Sequence, residues 1–228
     1  MRTGVPGQAL IVHTVPATVH GHALLQPPAE MPGRFLLVGF HGYGESADQH
    51  LAALNRIPSV SEGWVCAVQA LHPFYDRRME SVVASWMTRL DRGRAIEDNR
   101  EYVHSVIARV RRDQGIDRPL ILAGFSQGAA MAFRAAMDER IPCVGVIALA
   151  GDLPPDVREG DLSRMPPVLL GRGKSDRLIP ARQFEGDLEA LRAAGVDVRP
   201  CVFRGRHEWT AAFCRESALF IGEILSAE

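Results

Sequence analysis

Ser126 sits in Gly124-Phe125-Ser126-Gln127-Gly128, so the residues two before it and two after it lack side chains. Pro119 to Ala123 form a short apolar run ahead of it, and Ala129, Ala130, Ala132, Ala135 and Ala136 follow at once in a small-residue helical pattern. Strand, G-x-S-x-G and helix in that order make a turn so tight that the serine hydroxyl is pushed out beyond the strand end. The N–H of Gln127 opens the helix and points toward any oxygen held near Ser126. A serine hydroxyl is a weak nucleophile near neutral pH; it needs a base, and the base needs an orienting carboxylate. The chemistry such a set performs is acyl transfer through a covalent serine intermediate.

The bare pattern arises by chance in roughly one chain in ten of this length, so its partners decide the matter. Of the eight histidines only His207 lies beyond Ser126, which makes it the candidate base. Two aspartates follow strand-like runs: Asp152 after Cys143 to Ala150, and Asp176 after Pro167 to Gly171. Asp176 is preferred because its loop adjoins that of the last strand, which carries His207. The bland alternative is that Asp176 and His207 only cap the helices that follow them. Upstream, the apolar run Arg34 to Phe40 ends at His41-Gly42-Tyr43-Gly44-Glu45-Ser46. Its glycines let backbone approach a ligand, and the N–H of Tyr43 is the expected second donor to an oxyanion, beside that of Gln127. His41 reads as a brace for this loop rather than as a base.

These residues need a sheet that brings strand ends together. Gln8 to Val15 and Thr18 to Gln26 read as two short strands of an edge hairpin. His20 and His22 would share one face of it, a solvated face rather than a metal site, since no acidic or cysteine ligand stands near. Leu51, Leu54 and Ile57 predict a first crossover helix, Gly63 to Leu71 a strand, and Ile96 to Val110 a helix ending near Gly115. Between them, Phe74 to Arg94 reads as an irregular loop over the site, with Trp86 and Met87 either lining an acyl pocket or buried at the edge. A helix from Pro180, a last strand from Val196 to Phe203 and a closing helix with Trp209, Phe213, Phe220 and Ile224 inward complete the pattern. Strands that alternate with helices and run continuously apolar predict a mostly parallel sheet covered on both faces.

At 228 residues, 46% hydrophobic and 23% charged, the chain reads as one domain, residues 1–228, of an ordinary globular protein. A formal charge of −1 gives no reason to expect nucleic acid or an anionic membrane as partner. The basic stretches at Arg109, Arg111 and Arg112 and at Arg204 and Arg206 read as solvated faces. Cys66, Cys143, Cys201 and Cys214 form no C-x-x-C pair and read as small buried hydrophobes of a reducing compartment. The apolar run at Ala9 to Val12 is too short for a signal peptide and no span of membrane length appears, so a cytoplasmic location without stable membrane insertion is expected.

Taken together, Gly124 to Gly128, His41 to Gly44, Ser85-Trp86, Gly173 to Pro180 and His207-Glu208 resemble the phospholipase/carboxylesterase family, which includes the acyl-protein thioesterases. The resemblance runs from about Phe35 to the C-terminus. It implies an α/β-hydrolase fold with a minimal lid, no cofactor or metal, and hydrolysis of carboxylic esters or thioesters of small or acyl-chain substrates. It makes Ser126, Asp176 and His207 the triad, with Tyr43 and Gln127 as backbone oxyanion donors. Lactone, amide or siderophore-ester hydrolysis, or a non-catalytic binding role on the same fold, are the rival expectations. Four positions depart from the family pattern: Glu45 replaces an aspartate, Arg172 a histidine and Arg206 a small residue, and Ser85-Trp86 lacks the aromatic-acidic continuation.

Overall fold

The computed structural model describes residues 11–227. In chain order the first half holds β1 (Ala23–Gln26), β2 (Leu36–Phe40), α1 (Ala47–Leu54), β3 (Trp64–Val68), β4 (His72–Tyr75), β5 (Val82–Ser85) and α2 (Arg92–Gln114). The second holds β6 (Leu120–Phe125), α3 (Gln127–Ala136), β7 (Gly145–Leu149), α4 (Pro155–Arg158), β8 (Val168–Gly173), α5 (Ala181–Ala193), β9 (Val198–Phe203) and α6 (Ala211–Ser226). Seven strands make one sheet in the order β1-β3-β2-β6-β7-β8-β9. Only β1 runs antiparallel, against β3; the other pairings are parallel.

The period-2 alternation of each strand splits the core into two layers. Leu36, Val38 and Phe40 of β2 and Leu120 and Leu122 of β6 face α2, α3 and α5 through Val103, Ile107, Met131, Phe133 and Leu191. Leu37, Ile121, Ala123 and Phe125 face α1 and α6 through Leu54, Phe213, Phe220 and Ile221. Phe213 is fully buried, and a side chain of that size contributes about 1.5–3 kcal/mol when removed from water. Thr210 caps its helix by accepting the N–H of Phe213.

The chain leaves β2 toward β3 on one side, then crosses to β6 and proceeds through β7, β8 and β9 on the other. The sheet order therefore reverses between β2 and β6, and a crevice opens at their carboxyl ends. His41 follows β2 and Ser126 follows β6 at that crevice.

Two expectations are corrected. Residues 11–22 form no strand and are exposed, and only Ala23–Gln26 pairs with the sheet; residues 8–10 of the expected first strand lie outside the described residues. The segment after β3 is not an irregular loop. His72–Tyr75 and Val82–Ser85 pair antiparallel, and Asp76 closes the turn by accepting the N–H groups of Arg78 and Glu80. This hairpin reaches the crevice, because Ala84 donates to the Glu45 carbonyl at 2.9 Å and accepts from Gly44 at 2.9 Å.

His50, on α1, is fully buried, and neither ring nitrogen has a hydrogen-bond partner among the described residues. Burial, with a smaller contribution from nearby His41, lowers its pKa to about 3. The unfolded chain takes up this proton near pH 6.5 while the folded chain does not, so stability is complete above that value and falls as pH drops toward 3. The loss is about 1.4 kcal/mol per pH unit, roughly 4–5 kcal/mol over the window. Urea unfolding of wild type and His50→Leu at pH 7.5 and 4.5 checks this: the variant is expected to lose about 2–3 kcal/mol less on acidification.

Candidate active site

Ser126 joins β6 to α3 with φ 54° and ψ −119°, a left-handed strained backbone for a residue with a side chain. The turn closes only because its flanks are bare. A Cβ on Gly124 would lie 2.2 Å from the Gly128 carbonyl oxygen, and one on Gly128 would lie 2.0 Å from that of Phe40. The elbow is tied to the sheet by the Ser126 N–H, which donates to the Leu149 carbonyl at 2.9 Å.

His207 follows β9 and Asp176 follows β8, and the structure brings the two together. Nδ1 of His207 lies 2.9 Å from Oδ2 of Asp176. The other carboxylate oxygen accepts the N–H groups of Leu178 and Ile179 at 2.8 and 3.1 Å. With no side-chain surface open to solvent, the carboxylate is held at both oxygens. Nδ1 being committed, Nε2 is the ring nitrogen left for a reacting partner. The imidazole packs on Phe125, ring centroids 4.9 Å apart, beside the elbow. No hydrogen bond joins Ser126 Oγ to His207 among the described residues; such contacts commonly tighten only when substrate binds.

The loop after β2 presses on the same elbow: a Cβ on Gly42 would sit 3.1 Å from the Phe125 ring and 3.3 Å from Ser126 Cβ. Among the described residues neither the Tyr43 N–H nor the Gln127 N–H has a protein acceptor. The loop that carries Tyr43 is braced by hydrogen bonds of its neighbours. His41 is buried; its Nδ1 donates to the Gly42 carbonyl at 2.7 Å and its Nε2 accepts from Ala70 N at 3.0 Å. Burial lowers its pKa, which suits a neutral brace better than a base.

Two braces were not expected from sequence. Glu45 Oε2 accepts the Gly42 N–H at 2.8 Å, and burial raises the Glu45 pKa against the opposing pull of that bond and of His207. The Gln127 side chain crosses to the hairpin, accepting from Trp86 N at 2.9 Å and donating to the Met87 carbonyl at 2.8 Å. A carboxylate three residues past a glycine turn was the available signal for the first. The second spans 40 residues and leaves no local sequence mark.

Trp86 and Met87 are buried core residues, the second of the two placements that the sequence left open. Trp86 is fully buried and its indole N–H donates to the His41 carbonyl at 2.9 Å, so it supports the loop after β2. Arg172, one of the four departures from the family pattern, is buried and braces the Asp176 loop by donating to the Ile179 carbonyl at 2.8 Å. Asp152 makes no bond to His207 among the described residues and lines a separate depression with Arg158, Arg182 and Gln183. The described residues hold no group of three or more potential metal ligands and no helix long and apolar enough to cross a membrane.

The sequence profile of the phospholipase/carboxylesterase family matches residues 21–222. The acyl-protein thioesterase 1 of Gibberella zeae is 27% identical over 109 residues, 45% of this chain and 46% of that protein, so the chain matches about half the length of this curated relative. The crystal structure of esterase PE8 superposes with a TM-score of 0.72 at 26% identity, covering 90% of this chain and all of that one. A carboxylesterase from Bacillus cereus gives a TM-score of 0.70 over 90% and 94% of the two chains, and at 16% identity it speaks for the fold alone. With the profile spanning nearly the whole sheet and both loops of the crevice, the chain belongs to the phospholipase/carboxylesterase family of α/β-hydrolase-fold enzymes.

Proposed function

We propose that the chain hydrolyses carboxylic esters, and thioesters of the same acyl groups, by two-step acyl transfer. Ser126 Oγ attacks the substrate carbonyl carbon while His207 Nε2 takes the hydroxyl proton. Asp176 holds the imidazole in the tautomer with its N–H at Nδ1. The tetrahedral oxyanion rests on the N–H groups of Tyr43 and Gln127; one such donor typically accounts for about 10²–10³ in rate. Collapse breaks the bond to the leaving oxygen or sulfur, which receives the proton from Nε2. Water then attacks the acyl-enzyme with His207 as base and releases the acid. The observation that carries this reading is the 2.9 Å contact of His207 and Asp176, 31 residues apart in the chain, formed beside the elbow serine. The names of the relatives, an esterase and an acyl-protein thioesterase, support the same substrate class. Four unpaired cysteines accord with a reducing, cytoplasmic setting.

A fluorophosphonate probe tests the reading, because it reacts only with an activated serine. Mass spectrometry is expected to find the adduct on Ser126 and on no other residue, and prior denaturation is expected to abolish it. An unlabelled Ser126 in the folded protein would refute the proposal and favour a non-catalytic scaffold. A matched series of oxygen esters and thioesters of rising acyl length then sets the preferred acyl group.

A further inference from the structure

We infer that Trp86 is a positioning residue for acyl transfer: it ties together the two chain segments that carry the oxyanion donors and so fixes the distance between them. The inference rests on the acyl-transfer reading above and concerns what keeps its oxyanion hole in shape. The donors, the N–H groups of Tyr43 and Gln127, stand on different segments. β2 and β6 are neighbours in the sheet, and their register ends with Phe40 opposite Gly124. Each donor lies three residues beyond that pair. There, among the described residues, no backbone hydrogen bond joins residues 41–44 to residues 125–128. The sheet alone therefore does not set the width of the hole.

Trp86 makes the missing connection. Its indole N–H donates to the His41 carbonyl at 2.9 Å, and its backbone N–H donates to Oε1 of Gln127 at 2.9 Å. The carbonyl of Met87 accepts from Nε2 of the same amide at 2.8 Å, so the Gln127 side chain is held at both ends. On the other side of Tyr43, the Gly44 N–H donates to the Ala84 carbonyl of β5 at 2.9 Å. Tyr43 is thus bracketed by two bonds to one stretch of chain, and Gln127 is bound to that stretch as well. Trp86 is itself fixed. It is fully buried, meets Phe40 edge-on with ring centroids 5.6 Å apart, and its carbonyl accepts from Nδ2 of Asn99 at 2.6 Å. Asn99, on α2, is equally buried, and its Oδ1 has no partner among the described residues. An unpaired buried oxygen is a cost that leucine would avoid; what the amide supplies in exchange is a donor to Trp86. Hydrogen bonds to a developing oxyanion weaken steeply off their best distance and angle, and a misplacement of about 1 Å at a reacting centre costs about 10² in rate.

Two variants release one segment each. Trp86→Phe keeps a ring in the core and removes the indole N–H; Gln127→Met keeps the side-chain length and the backbone N–H and removes the amide. Each is expected to lower kcat for a short p-nitrophenyl ester about tenfold, with KM within about twofold. A short aliphatic trifluoromethyl ketone, which adds to a serine as a tetrahedral oxyanion, is expected to bind more weakly by the factor that kcat/KM loses. The pH midpoint of kcat/KM should stay in place, because the contact of His207 with Asp176 is untouched. Releasing either segment frees the spacing, so the double variant should fall little further than the single ones. Losses that multiply, a loss confined to KM, or an unchanged affinity for the ketone would overturn the inference and describe separate packing defects. Should the buried Trp86→Phe fail to fold in a thermal melt, Gln127→Met, at a half-buried side chain, carries the ketone comparison alone. Wild-type turnover that survives Ser126→Ala would instead sink the acyl-transfer reading, and the inference with it.

Discussion

Ser126→Ala is expected to lower kcat for a short p-nitrophenyl ester by about 10⁴–10⁶-fold while the protein stays folded. The size follows from what is lost: without Oγ no acyl-enzyme forms, and the oxyanion donors and binding alone leave a small residue of catalysis. A second replacement at the same position separates chemistry from strain. The backbone at φ 54° and ψ −119° disfavours any residue with a Cβ, so alanine keeps the strain and glycine removes it. Strain of this kind costs about 1–3 kcal/mol, against about 0.4–1 kcal/mol of added unfolded-state entropy for glycine. Ser126→Gly is therefore expected to be as inactive as Ser126→Ala yet about 1 kcal/mol more stable, which for a chain of this size is about 2–4 °C in Tm. Assay and thermal melts of both variants check the two halves separately. Surviving turnover in Ser126→Ala would remove the serine from the mechanism, and a less stable glycine variant would show that the elbow stores no strain.

How much of this was legible in the sequence depends on whether the signal was local. The elbow was, because the apolar run of β6, the bare flanks of Ser126 and the alanines of α3 are contiguous and agree with one another. The continuous apolar strands were legible for the same reason, being buried on both faces. The N-terminal hairpin was over-predicted. Ile11, Val12, Thr14 and Val15 have strand-forming side chains, but β-propensity needs a partner edge, and only Ala23–Gln26 lies against β3. The β4–β5 hairpin was missed because its strands are only four residues each, joined by a polar turn, and the pairing is fixed by Asp76 in that turn and by the bridge from Ala84 to Glu45. Trp86 was ambiguous because an aromatic beside a site can line it or support it. The acceptor of its indole N–H, the His41 carbonyl 45 residues away, decides between the two.

The choice between two aspartates, each following a parallel strand, was the least local question of all, and it yields the second large effect. Asp176→Asn is expected to cost about 10⁴ in kcat, with Asp152→Asn within about twofold of wild type. In the first variant the amide oxygen can keep the N–H groups of Leu178 and Ile179, so the loop holds and the NH₂ faces the imidazole. Two donors cannot meet there. The ring answers by moving its proton from Nδ1 to Nε2, and the nitrogen that should accept the serine proton then already carries one. The defect is one of tautomer rather than of fold, so melting temperature and substrate KM should change little while kcat collapses. Asp152 lies among Arg158, Arg182 and Gln183 and, among the described residues, makes no hydrogen bond to the imidazole, whose Nδ1 is taken by Asp176. Steady-state kinetics of both variants on one ester decide the matter. A collapse in Asp152→Asn with Asp176→Asn intact would move the orienting carboxylate to the end of β7 and require His207 to turn away from the contact it makes here.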